Sequence, residues 1–503
     1  MDSLTIFKRR LDLPPQRRML LAYVITHQKR QGQVTELSQK YHVSRTFLYE
    51  NAKKYASVDK IGLSSVLSRE AKIVACQKSI LFYRLFGNCS LNSIQTFLEH
   101  DGSVNDSLGY ISEFLRDAGQ AVGQDLNLSG SGEQTYQVVF ASDEIFAGER
   151  AILITVEPIS LTILRIELAY ERTSEGWQEQ WQSLKNQHIT PSLFVKDEGC
   201  ALKCAQNILF ANTAVQSDTF HAVSHRLGLW VKRLEKAAFT LMLELEEKER
   251  LFCTAQTPQT AQKRLDIYLN CYKETIKAMD LYHNFAFIYQ NLIQSFKAFD
   301  NKGELKDKEN VLDDFQAAID LGKMLNHKPI TKELKTIETL KFTLFTFFDT
   351  TKKSLKMLQK KLEKILSLLQ LNAFCSAWQY NKAKIKAKCA KRRNNAKNME
   401  LSVLENLKNA LNDDYQYIKN MIYNELDQSI QSSAAVENIN SILRPFLNTI
   451  KNNVTQQALN LFMFFHNHRI FKNGKRKGKS PMQILTGKPH EEVIDLILRK
   501  MEA

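Results

Sequence analysis

Two aspartates, Asp143 and Asp197, each close an apolar run of β type, and a third carboxylate, Glu437, follows far downstream in a helical Glu-Asn-Ile-Asn segment. Brought together, they would suit a hard divalent cation, which takes oxygen ligands and keeps several waters, so that one or two carboxylates per ion suffice. Two such ions roughly 3.5 to 4 Å apart can clamp the attacking and the leaving oxygen of a phosphodiester displacement. A second reading stands beside this one, because Asp is also common wherever a strand gives way to a turn. Glu144 and Glu198 directly follow the two aspartates. Successive strand side chains point to opposite faces, so only one member of each pair would face a shared ion.

The elements that must position these groups are legible around them. Residues 136–142 are β-branched and aromatic and run to Asp143, before a turn at Ala147 and Gly148. Two further runs, 151–156 and 161–168, are separated by Pro158 and Ser160, so the three together predict an antiparallel meander. Thr173 or Ser174 can cap a helix whose Trp177, Trp181 and Leu184 fall at steps of four and three. Leu193, Phe194 and Val195 predict a short strand ending at Asp197. Gly199 then opens a helix through Ala201, Ala205, Ile208 and Leu209, and a fifth strand at Ala214 and Val215 ends near Asp218. This order predicts a mixed α/β sheet, whose ligands collect at strand ends.

From about residue 137 to 487 the chain resembles bacterial insertion-sequence transposases of the DDE type, which have an RNase H-like catalytic core. The resemblance rests on Ala141 Ser142 Asp143 Glu144 Ile145 Phe146, on Glu171 Arg172 Thr173 with Trp177, and on Val195 Lys196 Asp197 Glu198 Gly199. It continues in Asp218 Thr219 Phe220 His221, in the glutamate helix at 435–444, and in Asn467 His468 Arg469 with Gly478 Lys479 Ser480 Pro481. It implies that Asp143, Asp197 and Glu437 are catalytic and bind two Mg²⁺ ions, for which Mn²⁺ can substitute, and that His221 is an auxiliary residue near them. It also implies cleavage and strand transfer on double-stranded DNA, both the terminal inverted repeats of an element and a target, by a homo-oligomer. The 218 residues between Asp218 and Glu437 fit family members that carry a helical insertion there. Two alternatives share the fold: a domesticated, non-cleaving DNA-binding regulator, and a stand-alone nuclease. Asn440 and Arg444 lie three and seven residues beyond Glu437, on nearly one helical face, and are expected to contact DNA.

Charge and the remaining segments set the context. The chain has 503 residues and a net charge of +15, which favours a polyanion through counterion release. The charge is concentrated in Lys382, Lys384, Lys386, Lys388, Lys391, Arg392, Arg393 and Lys397, and again in Lys472, Lys475, Arg476, Lys477 and Lys479. Segments so dense in one sign self-repel and are expected to stay mobile until an anion meets them. Near the start, residues 34–41, a turn at His42 and Val43, and a Ser44-capped helix to Tyr55 read as a helix-turn-helix. Arg45, Thr46, Tyr49, Lys53 and Lys54 form its DNA-facing side, and a preceding helix from Pro15 supplies Leu20, Tyr23 and Val24. A second, weaker unit runs from Ser93 to Leu98, turns at Asp101 and Gly102, and resumes through Ile111, Phe114 and Leu115.

Residues 229–428 are almost wholly helical in period. Leu344, Phe348, Thr351, Leu355, Leu358, Leu362, Ile365 and Leu369 form a heptad-like seam, read as a bundle core helix in preference to a dimerising coiled coil. The eight scattered cysteines fit reduced thiols. Cys200 and Cys204 with His221 and His225 could ligate zinc, but close zinc-finger spacing is missing and ordinary small apolar cysteines are preferred. No apolar run approaches the ~18 residues of a membrane helix, and the start has no signal-peptide core, so a cytoplasmic, nucleoid-associated protein is expected. The expected organisation is a helix-turn-helix domain at 1–60, a second helical domain at 61–130, an α/β RNase H-like core at 131–228 and 429–503, and an all-helical insertion at 229–428.

Overall fold

The computed structural model describes residues 13, 15–27, 31–55, 69–101, 103, 107–126, 128, 135–451 and 453–502. The chain divides into two compact units, Met1–Asp117 and Ala118–Ala503.

In the first unit, α1 (Pro15–His27), α2 (Gln33–Tyr41) and α3 (Arg45–Tyr55) share a core of Leu13, Leu21, Val43, Phe47 and Leu48. His42 ends α2 with a positive φ, and the Ser44 hydroxyl accepts the Phe47 N–H at the start of α3. This is the predicted cap: it satisfies one of the donors a helix start leaves open. Leu20 is 59 % exposed and its neighbour Leu21 takes the core position, so α1 presents a face one residue away from the expected one. The side chain of Tyr23 lies outside the described residues. Next come α4 (Arg69–Leu85), α5 (Leu91–His100) and α6 (Leu108–Val122). Ile94 and Leu98 of α5 are buried, as are Ile111 and Phe114 of α6. The weaker expected unit thus has its two helices, and α4, unread in the sequence, packs on α5. Gly102 of its turn lies outside the described residues.

The second unit is a mixed α/β assembly built on a five-stranded sheet. The strands are β1 (Tyr136–Ala147), β2 (Arg150–Glu157), β3 (Thr162–Ala169), β4 (Ile189–Lys196) and β5 (Val215–Ser217), in the order β3-β2-β1-β4-β5. β1, β2 and β3 are the predicted antiparallel meander, while β4 and β5 add in parallel. β4 is longer than the sequence suggests. Pro191, which argues against a strand interior, sits where the β1–β4 register shifts, between Val138 and Val139, and the pairing runs on around it.

Between β3 and β4, α7 (Ser174–Asn186) starts on the Thr173 cap and buries Trp177, Trp181 and Leu184 completely. Phe194 meets Phe140 edge-on at 5.5 Å and lies 4.8 Å from Trp181, ring centre to ring centre. α8 (Cys200–Phe210) packs through Leu202 and Ala205, leaving Ile208 exposed. On the outer side of β3, helix α19 (Gln456–His468) lays amide side chains along the strand. Asn467 exchanges two 2.9 Å hydrogen bonds with the Ile163 backbone, Gln456 bonds the Leu168 N–H and the Ile166 carbonyl, and Gln124 accepts the Ile166 N–H. At β5 the Thr346 hydroxyl donates to the Val215 carbonyl, and the Gln216 side chain donates to the Leu344 carbonyl and accepts the Phe347 N–H.

The long insertion is helical as expected, from α9 (Arg226–Cys253) and α10 (Pro258–Ser295) through α11 (Lys308–Met324), α12 (Lys328–Thr339), α13 (Lys341–Leu344), α14 (Phe347–Leu362), α15 (Leu368–Lys386), α16 (Ala390–Leu411) and α17 (Tyr415–Leu426). Its apolar core includes Phe285, Phe315, Phe345, Phe347 and Phe374, each with no exposed surface. The heptad-like seam ends early. Phe348, Thr351, Leu358 and Leu362 are buried, but α14 stops at Leu362, and Ile365 and Leu369 are 54 % and 78 % exposed. A new helix capped by Ser367 breaks the seam, which makes α14 a bundle core helix. After the insertion come α18 (Ala434–Ile450), α19, α20 (Pro481–Thr486) and α21 (Val493–Glu502).

Candidate active site

β1 and β4 lie side by side at the centre of the sheet, and their connections leave in opposite directions, β1 toward β2 and β4 toward β5. In open α/β sheets such a reversal leaves a crevice beyond the carboxyl ends of the strands. The last β1–β4 pair is Ser142 with Lys196, so Asp143 and Asp197 come next in register, at the point where the parallel strands part. Partners in register share a face, and adjacent strands run about 4.8 Å apart, which sets the two carboxylates side by side. Asp143 is not the end of its strand, as the sequence suggested: β1 continues against β2 to Ala147. What ends at Asp143 is the pairing with β4.

The neighbouring glutamates are committed elsewhere. Glu144 pairs with Arg172, while Glu198 pairs with Lys203 at 2.5 Å and accepts from the Ser217 hydroxyl at 2.6 Å. Asp143 accepts the Glu144 N–H at 2.9 Å, and Asp197 accepts the Gly199 N–H at 2.9 Å, an Asx turn that opens α8. Burial pushes the Asp143 carboxyl up to about 7. The charges of Glu144 and Asp197 add to this, while the Glu144 N–H and His221 oppose it. Beneath Asp143, Ser142 is fixed by Thr155 at 3.0 Å, and Thr155 in turn by Gln180 and Trp181.

Glu437 bonds His221, whose charge also acts on Asp143. The His221 ring Nε2 lies 2.9 Å from Glu437 Oε1. His221 sits on a π-helical turn, Phe220–His225, whose Ala222 and Val223 belong to the insertion core. Glu437 stands in the first turn of α18. These distant segments are joined by Asp218, which is 2 % exposed. Its Oδ1 accepts the N–H groups of Phe220 and His221 at 2.7 and 2.9 Å, and its Oδ2 accepts the N–H of Ser433 at 2.8 Å together with the Ser433 hydroxyl. Thr219 adds two bonds, from its N–H and its hydroxyl, to the Gln431 carbonyl.

Among the described residues, no group of three or more His, Cys, Asp or Glu side chains converges tightly enough to hold a metal ion as it stands. Asp143 and Asp197 nonetheless fit a hard cation, since two adjacent carboxylates, one held near neutrality by burial and repulsion, are what such an ion would relieve. Cys200 and Cys204 are both exposed, neither gathered on a zinc site nor packed as apolar residues.

Other expected contacts are placed as follows. Asn440 is 8 % exposed, with its Oδ1 unbonded, whereas Arg444 is exposed, so the two have different surroundings. Arg45, Thr46, Tyr49, Lys53 and Lys54 are all exposed on α3. Lys391, Arg392 and Arg393 are exposed in the first turn of α16. The two basic segments are folded, because acidic and carbonyl groups meet them. Lys384 pairs with Glu400, Lys382 and Lys475 pair with Asp427 at 2.7 and 2.9 Å, and Arg476 donates to the carbonyls of Pro158 and Ile159. Lys477 is exposed. Two residues that the sequence placed in motifs but gave no role stand out. One is Asp218 as the tie between His221 and Glu437; the other is Lys196, 2 % exposed beside Asp197, whose ammonium burial pulls down. No helix of the described residues is long and apolar enough to cross a membrane. Compared with known protein families and with curated proteins, the chain matches none.

Proposed function

We propose that this chain is a DNA transposase of the DDE type with an RNase H-like core, which cuts the ends of an insertion element and joins them to target DNA. The observation that carries this reading is the register that sets Asp143 and Asp197 side by side where the two central parallel strands part, with His221 acting on Asp143 and bonded to Glu437. In this reading Asp143, Asp197 and Glu437 would hold the two Mg²⁺ or Mn²⁺ ions. When bound, the ions supply a lowered pKa for the attacking water and stabilisation of the leaving oxygen. His221 orients Glu437, Asp218 fixes both, and Glu144 and Glu198 stay in their ion pairs. The α2–α3 pair acts as a helix-turn-helix, in which Arg45, Thr46 and Tyr49 reach base edges and Lys53 and Lys54 reach phosphates. The protein works as an oligomer on paired element ends.

A second reading, a non-cleaving DNA-binding regulator, is favoured by the engagement of Glu437 with His221 and by the lack of a ready three-ligand cluster among the described residues. One experiment separates them. Purified chain and an Asp143→Ala variant are incubated with Mg²⁺ and DNA bearing the inverted repeats that flank the gene. The transposase reading expects nicks and joined products from the parent chain and none from the variant. Binding without either product sinks it in favour of the regulator, and equal cutting of unrelated DNA favours a nuclease.

A further inference from the structure

Helix α12 of the insertion has two opposed faces. Ile330, Leu334 and Ile337 are buried to 1 % exposure or less. At 100° per residue the opposite face carries Lys328, Lys332, Lys335, Thr336 and Thr339, all exposed, and with Asn326 they line one concave groove. The acidic residues of α12 lie on its flanks and are already paired, Glu338 with Lys323 at 2.7 Å and Glu333 with Arg226 at 3.5 Å. No carboxylate partner meets Lys328, Lys332 or Lys335 among the described residues. Lys323, which also lines the groove, is taken by Asp320 and Glu338, and the Thr336 and Thr339 hydroxyls donate to the carbonyls of Lys332 and Thr336, so the groove's free donors are the ammonium groups of Lys328, Lys332 and Lys335. From Lys328 to Lys335 it spans about 10 Å of helix, a length of duplex axis that carries about six phosphates.

We propose that this groove seats the phosphate backbone of duplex DNA, a contact separate from both the carboxylate site and α3. Lysine ammonium groups bond phosphate oxygens without reading sequence, so the groove adds affinity and position, not base preference. The choice of DNA among polyanions rests on the reading of the chain as a transposase, whereas the charge pattern stands without it.

The test measures binding, not cutting. In a full-length Asp143→Ala background, the affinity for a labelled duplex of arbitrary sequence is measured by anisotropy across a salt series. The K328Q/K332Q/K335Q triple variant is compared with a K353Q/K356Q/K360Q triple, which removes equal charge from the exposed face of α14. Each lost phosphate contact lowers the slope of log K against log salt by about 0.9, so the α12 triple is expected to lower it by 2 to 3 and the α14 triple by less than 1. An unchanged slope for the α12 triple, or an equal fall for both, overturns the groove. Labelled polyglutamate is run in parallel. If the α12 triple loses that ligand and keeps the DNA slope, the groove takes an acidic protein and the proposal fails. None of these outcomes depends on cleavage, so if the parent chain yields no product in the Mg²⁺ assay the transposase reading falls and the result for the groove still stands.

Discussion

Asp218→Asn tests how the candidate site is assembled. The carboxylate accepts four hydrogen bonds, two at the start of the π-helical turn and two from Ser433 at the start of α18. The amide is nearly isosteric but offers one acceptor oxygen and one NH₂ group. Keeping the oxygen toward Phe220 and His221 aims the NH₂ at Ser433, whose hydroxyl can turn to accept while its buried N–H loses its partner. One orphaned donor costs about 1 to 3 kcal/mol, and exchanging charged for neutral acceptors in the other bonds costs about 1 kcal/mol each, with relief of the buried charge offsetting part. A net loss of about 3 kcal/mol corresponds to a roughly hundredfold faster local opening. Amide hydrogen exchange read by mass spectrometry should show that acceleration in peptides spanning 219–222 and 430–434, while the β1 and β2 peptides keep their protection. Exchange within threefold of the parent chain in both segments would refute the clamp. If the clamp is correct and the chain cuts DNA, cleavage should fall in the same variant, since His221 and Glu437 lose their common anchor.

Four other measurements bear on the structure. His466 is fully buried, its Nε2 2.9 Å from the Leu161 carbonyl, and burial pulls it down to about 3. Its folded value is depressed, so the stability it permits is complete above the unfolded value near 6.5 and is lost as pH falls below it; from pH 7 to 5 the loss is about 2 kcal/mol. Denaturation followed by fluorescence of the four tryptophans, all in the second unit, should show that loss shrinking in His466→Gln, and equal pH slopes in both proteins would contradict it. Gly119→Ala would set a Cβ 2.1 Å from the Gln457 carbonyl oxygen; the forced backbone shift should cost about 2 to 3 kcal/mol in the same assay, and a neutral result would mean the two segments separate freely. Asp143→Asn should raise metal-free stability by about 1 kcal/mol by removing a buried charge and, to a lesser degree, its repulsion with Glu144 and Asp197, while abolishing any Mg²⁺-dependent rise in the unfolding midpoint; a destabilised variant would argue against that burial and crowding. Arg476→Gln should loosen the 157–161 turn, seen as faster exchange there, because its guanidinium bonds the Pro158 and Ile159 carbonyls.

Much of the sheet was legible because alternating apolar runs and turn residues are local signals: the meander, the Thr173 cap and the tryptophan face of α7 all follow from them. Other features were not legible because they depend on distant partners. Pro191 argues against a strand and is accommodated only because β1 shifts register beside it. The basic segments look self-repelling until Glu400 and Asp427, one buried and one largely so, are placed among them. The choice between Asp143 and Glu144, and between Asp197 and Glu198, could be argued from strand alternation; Arg172 and Lys203, which hold the two glutamates away, had no signature of that role. Asp218 carried a motif resemblance, but its clamp on Ser433 joins residues 215 positions apart, and no periodicity reports that.

The bonds that α19 and the 344–347 segment make to the outer strands have a consequence for assembly. An edge strand with open N–H and C=O groups is a template on which another chain can add a strand. Here the template is filled at β3 by Asn467, Gln456 and Gln124, while at β5 the Thr346 hydroxyl takes the Val215 carbonyl. If the proposed oligomer on DNA forms, its copies are left to meet through surfaces other than the covered edge of β3. A chain truncated before residue 456 would lose Gln456 and Asn467 and leave the backbone of β3 open to pairing with another strand.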